Sequence, residues 1–118
     1  MRVLVVEEES KITPLLEQRG HCVVVVGRDG EILPATGQFD AVVIDSRLTF
    51  QAALLICRNL RSRKDVIPVL LITGDDSFES RIEAFEAGAD ACLSGTLVVE
   101  ELLARLRALV RRAQIAPG

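Results

Sequence analysis

Short apolar runs rich in β-branched residues recur along the chain, and longer segments with many polar residues separate them. Runs of this length, bounded by polar turns, are typical of buried strands. Because the runs do not alternate with polar residues, both faces of each strand are expected to be buried, as in a parallel sheet between two layers of helices. The pattern predicts five strands: Val3–Val6, Cys22–Val26, Ala41–Ile44, Ile67–Ile72 and Ala91–Leu93.

The segments between these runs have a helical period. Ser10 is placed to cap the first helix, and Gly20 is placed to end it. The second segment, DGEILPATGQ, contains Pro34 and Gly37 and predicts only a turn or two. Three longer helices are predicted by TFQAALLICRNLRSR, SFESRIEAFEAG and VVEELLARLRALVRR. Strands that alternate with helices in this way indicate an open α/β sandwich.

The composition fits one domain of 118 residues, of which 49% are hydrophobic, without an internal linker. No apolar run is long enough to cross a bilayer, and no secretory signal precedes the first strand, so a cytoplasmic location is expected. The net charge of −3 argues against nucleic-acid binding by this segment itself. The three cysteines share no CxxC spacing, which favours reduced, mostly buried thiols over a disulfide or zinc site.

Polar residues with chemical potential follow several predicted strands. Glu7 and Glu8 follow the first strand, Asp45 ends the third, and Thr73 ends the fourth. Parallel strands end at one edge of the sheet, where ligands bind. If the first and third strands are neighbours, the carboxylates share a crevice suited to Mg²⁺. Asp45 could then attack phosphorus, and Thr73 could donate its hydroxyl to a phosphoryl oxygen. Taken singly, each residue also has a structural role as an alternative. Glu7 to Glu9 fit a solvated turn, Asp45 fits a helix cap, and Thr73 fits a residue that fills a strand end.

Five stretches of the sequence resemble the receiver domain (CheY-like) of bacterial response regulators: VLVVEEE, FDAVVID, PVLLITG, EAGADACL and EELLARLRALVRR. The last helix, with GAD before it, resembles the OmpR/PhoB subfamily, in which a winged-helix DNA-binding domain follows the receiver. The resemblance implies a flavodoxin-like (βα)5 fold, with a parallel sheet in the order 2-1-3-4-5 and helices on both faces. It also implies a receiver over residues 1–112 and, over residues 113–118, the start of a linker to a DNA-binding domain outside this chain.

The resemblance assigns roles at the strand ends. Asp45 matches the phospho-accepting aspartate, and Thr73 matches the switch hydroxyl. Glu7 and Glu8 match the acidic pair that binds Mg²⁺ together with that aspartate. The family implies a regulatory domain rather than an enzyme, with a histidine kinase as the phosphoryl donor.

The chain departs from the family at the site itself. Glu8 stands where the direct metal ligand is nearly always Asp, which puts Mg²⁺ binding in doubt. Gly95 and Thr96 replace a Lys-Pro pair, so the cation that meets the phosphoryl group is missing. Cys92 replaces the aromatic switch residue. Arg47, two residues beyond the acceptor, is the candidate for a substitute cation that folds back over the carboxylates; the alternative is that it points to solvent.

The resemblance also implies a homodimer, formed through the fourth helix, fifth strand and fifth helix about a two-fold axis. Arg81 and Glu101 match one charge pair of that interface. Arg105 matches a second arginine whose usual Asp is replaced by Ala91, which leaves the neighbouring Asp90 as a substitute. The alternative is that these residues are helix surface charges without a partner.

Three functions compete for the chain. The first is an atypical receiver of a transcriptional regulator, which dimerises largely independently of phosphorylation. The second is a conventional, Mg²⁺-dependent phospho-accepting receiver. The third is a module gated by a small molecule at the altered edge, where Cys92, Gly95 and Thr96 leave room. A thiol switch at Cys92 is a more distant alternative. In each case DNA is contacted only through a domain outside this chain, and no membrane partner is expected.

Overall fold

The computed structural model describes residues 1–7, 11–26, 35–45, 50–95 and 97–115. All five strands are parallel and form one sheet in the order β2-β1-β3-β4-β5. This order confirms the predicted flavodoxin-like arrangement. The strands are β1 Arg2–Val6, β2 Cys22–Val26, β3 Ala41–Asp45, β4 Val69–Thr73 and β5 Ala91–Ser94.

Strand β4 begins two residues later than the apolar run predicts. Pro68 has no amide hydrogen, so it cannot donate to a neighbouring strand. The amide of Ile67 donates to Oδ1 of Asp65 at 3.1 Å instead. The carbonyl of Pro68 still accepts from the amide of Val42 at 2.9 Å, so it leads the chain into the sheet.

Four helices lie in the described part of the chain: α1 Ile12–Glu17, α2 Phe50–Ser62, α3 Phe78–Ala87 and α4 Val99–Ile115. Most of the predicted weak helix lies outside the described residues. Its last part is a turn in which the amide of Phe39 donates to the carbonyl of Thr36 at 2.9 Å. Helix α4 continues to Ile115, so residues 113–115 are helical, although the linker was expected to begin at residue 113.

Two apolar layers form the core. One lies between the sheet and helices α2 and α3, and the other lies between the sheet and helices α1 and α4. Neighbouring residues such as Leu4 and Val5 belong to opposite layers, and both are fully buried. Strands β1, β3 and β4 are therefore buried on both faces, as predicted. The edge strand β2 is less protected, with Val24 at 44% exposure.

The cysteines are all free thiols, as expected, but they differ in burial. Cys57 is fully buried in α2, and burial raises its pKa to about 11. Cys92 is half-buried, whereas Cys22 on the edge strand is exposed. The expectation of mostly buried thiols was wrong for Cys22 because β2 has a neighbouring strand on one side only.

Arg61, in the last turn of α2, joins three segments at the amino ends of β4 and β5. Its guanidinium donates to the carbonyl of Gly88 at 2.7 and 3.1 Å, and to Oδ2 of Asp90 at 2.9 Å. It also donates to the carbonyls of Asp65 and Ile67 at 2.7 and 2.9 Å. Gly88 ends α3 with φ +119°, and a Cβ atom there would lie 2.5 Å from Cγ of Arg61.

In the described residues, no helix combines the length and the apolar character that a bilayer crossing requires.

Candidate functional site

The sheet brings the predicted site residues to one edge. Strands β1 and β3 are neighbours, with Val6 beside Ile44. One position further along, Asp45 lies beside Ile72 of β4. Asp45 and Thr73 therefore end adjacent strands, and Glu7 follows β1 at the same edge. The sequence prediction of a shared edge is confirmed by this topology.

Glu7 caps helix α1. Its side chain is almost completely buried, and its Oε2 accepts from the amide of Ile12 at 3.0 Å. Its Oε1 accepts from the amide of Thr13 at 3.2 Å and from Oγ1 of Thr13 at 2.8 Å. The first amides of a helix have no partner within the helix, and its amino end favours a negative charge. The carboxylate accepts from two of these amides, so Glu7 is not a solvated turn residue.

The cap predicted at Ser10 lies outside the described residues. Lys11 occupies the N-cap position and makes no side-chain capping hydrogen bond. The helix therefore takes its capping acceptor from Glu7, five residues before Ile12. A local capping pattern could not reveal this contact, because the acceptor comes from the preceding strand end.

Thr73 is only 2% exposed, and its hydroxyl is already engaged. Its Oγ1 donates to the carbonyl of Asp75 at 3.1 Å and accepts from the amide of Asp75 at 3.1 Å. The predicted donation from Thr73 to a phosphoryl oxygen would require the first of these contacts to open. In this structure the hydroxyl belongs to the loop between β4 and α3.

Asp75 is a residue of this edge that the sequence analysis missed. Its Oδ1 accepts from the amide of Ser77 at 2.9 Å, and its Oδ2 accepts from Oγ of Ser80 at 2.7 Å and from Oγ of Ser77 at 3.2 Å. The hydrogen bonds from Ser80 and Ser77 lower the pKa of Asp75 below its ordinary value. The sequence signal was the spacing of Asp75, Ser77 and Ser80, since Asp and Ser at such spacings bind nearby backbone amides.

Two of the altered positions, Cys92 and Gly95, lie in the described part of the chain. Cys92 packs half-buried against the layer under α2 and α3, and burial raises the pKa of its thiol. Gly95 is exposed and has φ +79°. The cavity beside Gly95 has a volume of about 10 Å³, roughly the space of one water molecule. Its lining includes Ile72, Leu93 and Glu101 but not Cys92.

Three of the predicted site residues, Glu8, Arg47 and Thr96, lie outside the described residues. The charge compensation expected from Arg47 therefore stays a prediction. Asp45 is half-buried at the end of β3. Within the described ranges, no three His, Cys, Asp or Glu side chains are grouped to hold a metal ion. Both oxygens of Glu7 already accept hydrogen bonds from α1, so Mg²⁺ binding also stays a prediction.

An exposed apolar stripe runs along α3, at the side of the molecule where β5 is the edge strand. Phe78 is 81% exposed, Ile82 is 53% exposed and Phe85 is 47% exposed. Their spacing puts them on one face of the helix. Helix α3 covers one face of the sheet and α4 covers the other. We call Phe78, Ile82 and Phe85 the α3 stripe.

The charged residues predicted at the dimer interface lie on α3, on α4 and just before β5. Arg81, on α3, is exposed beside the α3 stripe. On α4, Arg105 and Glu101 are 3.6 Å apart and both about half exposed. Asp90 precedes β5, where its Oδ2 accepts from Arg61 and, at 2.8 Å, from the amide of Val69. Asp90 therefore has a structural role within the chain that the sequence did not indicate.

Comparisons with known proteins agree with this architecture. The family model of the response regulator receiver domain matches residues 3–107. The chain is 38% identical to the response regulator MprA of Mycolicibacterium vanbaalenii over 95% of its own length and 51% of that protein. It is 39% identical to the transcriptional regulatory protein TcrA of Mycobacterium tuberculosis over 98% of its own length and 48% of that protein. It spans about half the length of these relatives.

A solved structure gives the same result for the fold. The receiver domain of the Francisella response regulator 1452 superposes with a TM-score of 0.81 and 27% sequence identity. The match covers 95% of this chain and 98% of that one.

Proposed function

The chain belongs to the response regulator receiver family, and on that premise we propose that it is an atypical receiver of a transcriptional regulator. It would dimerise through α3, β5 and α4, which are the fourth helix, fifth strand and fifth helix of the sequence prediction. Dimerisation would be largely independent of phosphorylation. The DNA contact would be made by a domain outside this chain, and the place of action would be the cytoplasm. The α3 stripe is the observation that carries the proposal.

The α3 stripe supports an interface because it exposes two aromatic rings and an isoleucine on one helix face. Contiguous exposed apolar surface on a soluble protein marks interaction sites, whereas single exposed apolar residues are ordinary. A two-fold axis near β5 would bring each copy's α3 and α4 against the same elements of the other copy. The apolar surface would then be covered by an identical surface.

The charges around the α3 stripe fit this arrangement. We propose that Arg81 meets Glu101 of the second copy. In the single chain Glu101 is 3.6 Å from Arg105, but exposed pairs of this kind contribute only about 0–1 kcal/mol, so exchanging the partner costs little. A pair between Arg105 and Asp90 of the second copy would have to compete with Arg61, and we expect it to contribute less.

Independence from phosphorylation is supported by the contacts at the strand ends. The Thr73 hydroxyl is bound to Asp75, and the Glu7 carboxylate is bound to α1. Cys92 provides no aromatic ring, and Gly95 provides no cation. A phosphoryl group on Asp45 would therefore lack an aromatic ring at position 92 and a cation at position 95 through which to act.

A conventional phospho-accepting receiver is the second candidate. It is favoured by Asp45, which is half-buried at the strand edge where the family has its acceptor. A histidine kinase would supply the phosphoryl group, and Mg²⁺ held by Glu8 and Asp45 would neutralise the carboxylates. Small-molecule gating gains no support from the described cavity beside Gly95, whose volume of about 10 Å³ is roughly that of one water molecule.

The interface can be tested by charge exchange. Arg81→Glu should weaken dimerisation, Glu101→Arg should do the same, and the double variant should restore it, because each pair regains opposite charges. Ile82→Asp should abolish the dimer, since a carboxylate would be buried without a partner. Leu55→Asp is the matched control, because Leu55 is a 40% exposed apolar residue on α2. Sedimentation velocity measures the dimer fraction of these five variants beside the wild-type chain. Equal dimer fractions for Ile82→Asp and Leu55→Asp would refute the proposal.

A further inference from the structure

We propose that Asp75 is a positioning residue, which ties the Thr73 hydroxyl to the first turn of α3 and thereby fixes how the α3 stripe is presented. The part of this inference that concerns the α3 stripe rests on the proposed dimerisation. The part that concerns the position of α3 stands on the contacts of the single chain.

The first link joins β4 to the loop. Thr73 is buried at the strand end, and its hydroxyl makes two hydrogen bonds of 3.1 Å to the backbone of Asp75. One is donated and one is accepted, so the hydroxyl fixes both the amide and the carbonyl of the same residue. The backbone of Asp75 is therefore held by the end of the strand.

The second link joins the loop to the helix. The carboxylate of Asp75 accepts from the amide of Ser77 at 2.9 Å and from the hydroxyl of Ser80 at 2.7 Å. Ser77 is the N-cap of α3, and its Oγ accepts from the amide of Ser80 at 3.3 Å. Asp75 thus holds both the cap residue and a residue of the first turn. Hydrogen bonds to a charged acceptor are stronger than those between neutral groups.

The third observation is that, among the described residues of α3, no buried apolar side chain holds the start of the helix. The buried residues of this helix are Ala84 and Ala87, both in its second half. In the first turn Phe78 is 81% exposed, so its ring adds little packing that could hold the helix start. The polar contacts of Asp75 therefore determine where this turn lies. Phe78 and Arg81 follow Ser77 and Ser80 directly in sequence, so the same contacts place the beginning of the α3 stripe.

Hydrogen exchange of the backbone amides tests the positioning role. In Asp75→Ala, the amides of Ser77, Ser80 and Arg81 should exchange about tenfold faster, because the loss of hydrogen bonds frees the first turn. Ser80→Ala should give a smaller increase in the same amides. Asp76→Ala is the matched control, since it removes the adjacent exposed carboxylate. The amides of α4 report on the fold as a whole and should not change.

The outcomes separate this inference from the proposed dimer. Unchanged exchange in Asp75→Ala, or acceleration spread equally over α3 and α4, would overturn the positioning role whatever the oligomeric state. If the first turn loosens, sedimentation velocity should also show weaker dimerisation of Asp75→Ala, and an unchanged dimer would overturn its role in presenting the α3 stripe. If Ile82→Asp also leaves association unchanged, the proposed interface fails, while the exchange result still decides the role of Asp75.

Discussion

The hydroxyl of Thr13 donates a hydrogen bond of 2.8 Å to Oε1 of Glu7. This contact joins the end of β1 to the first turn of α1, and the amides of Ile12 and Thr13 donate to the same carboxylate. An acidic residue that the family resemblance assigns to metal binding is therefore also part of the folded framework. A carboxylate at the amino end of a helix stabilises the helix start.

Glu7→Gln should lower the free energy of unfolding by about 1–3 kcal/mol, because the new amide group would face backbone donors that need an acceptor. Urea denaturation without Mg²⁺ measures the change. Thr13→Val is the companion variant, since it removes one donor and leaves the carboxylate in place, and it should cost less. An increase in stability for Glu7→Gln would show that repulsion among the acidic residues outweighs the capping contacts.

Gly88→Ala should destabilise the chain for two reasons. The left-handed φ of +119° is strained for any residue with a Cβ atom, which costs about 1–3 kcal/mol. The Cβ atom would also displace Arg61, whose guanidinium holds the carbonyl of Gly88. In an Arg61→Ala background the second cost disappears. In a double-mutant cycle measured by urea denaturation, the double variant should therefore lose less stability than the sum of the losses in the two single variants. Strict additivity of the two changes would contradict the contact.

His21 should make stability depend on pH. Its Nδ1 is 3.0 Å from the Met1 amine, and its Nε2 is buried without a hydrogen-bond partner among the described residues. Burial, the positive Met1 amine and Arg107 on α4 lower the pKa of His21 below 6.5. The unfolded chain then binds the proton more readily, so stability should fall as the pH drops through 6.5 toward the lower folded pKa.

The His21 prediction is checked by urea denaturation between about pH 8 and pH 5, a range that brackets the ordinary pKa of histidine. His21 is the single histidine of the chain, so His21→Gln should flatten this part of the profile. A profile in which acidification stabilises the wild-type chain would mean that the imidazolium gains a partner in the folded state.

The strands and their common edge could be predicted from sequence because burial on both faces leaves a continuous apolar run. The start of β4 was missed because Pro68 interrupts pairing inside an apolar run, and periodicity does not detect a missing amide. The cap at Glu7 and the bond between Arg61 and Asp90 join residues that are separate in sequence, by 29 positions in the second case. Such contacts arise only when the packed elements bring the groups together.

The engagement of Thr73 shows the same limit at the candidate site. The place of Thr73 at the end of β4 was predicted and is confirmed. The direction of its hydroxyl depends on the loop that follows, where Asp75 supplies a donor and an acceptor. A match to the family assigns a role to Thr73, but it does not reveal that the backbone of Asp75 already binds the Thr73 hydroxyl.

Dimerisation without phosphorylation can be tested by measuring the dimer dissociation constant with and without a phosphoryl donor. Sedimentation equilibrium of the wild-type chain and of Asp45→Ala, each with and without acetyl phosphate and Mg²⁺, gives four dimer dissociation constants, and intact mass reports whether a phosphoryl group is present. We predict a dimer with the same Kd in all four samples. A dimer that forms only when the wild-type mass rises by one phosphoryl group, and never in Asp45→Ala, would contradict the claim and establish a conventional receiver.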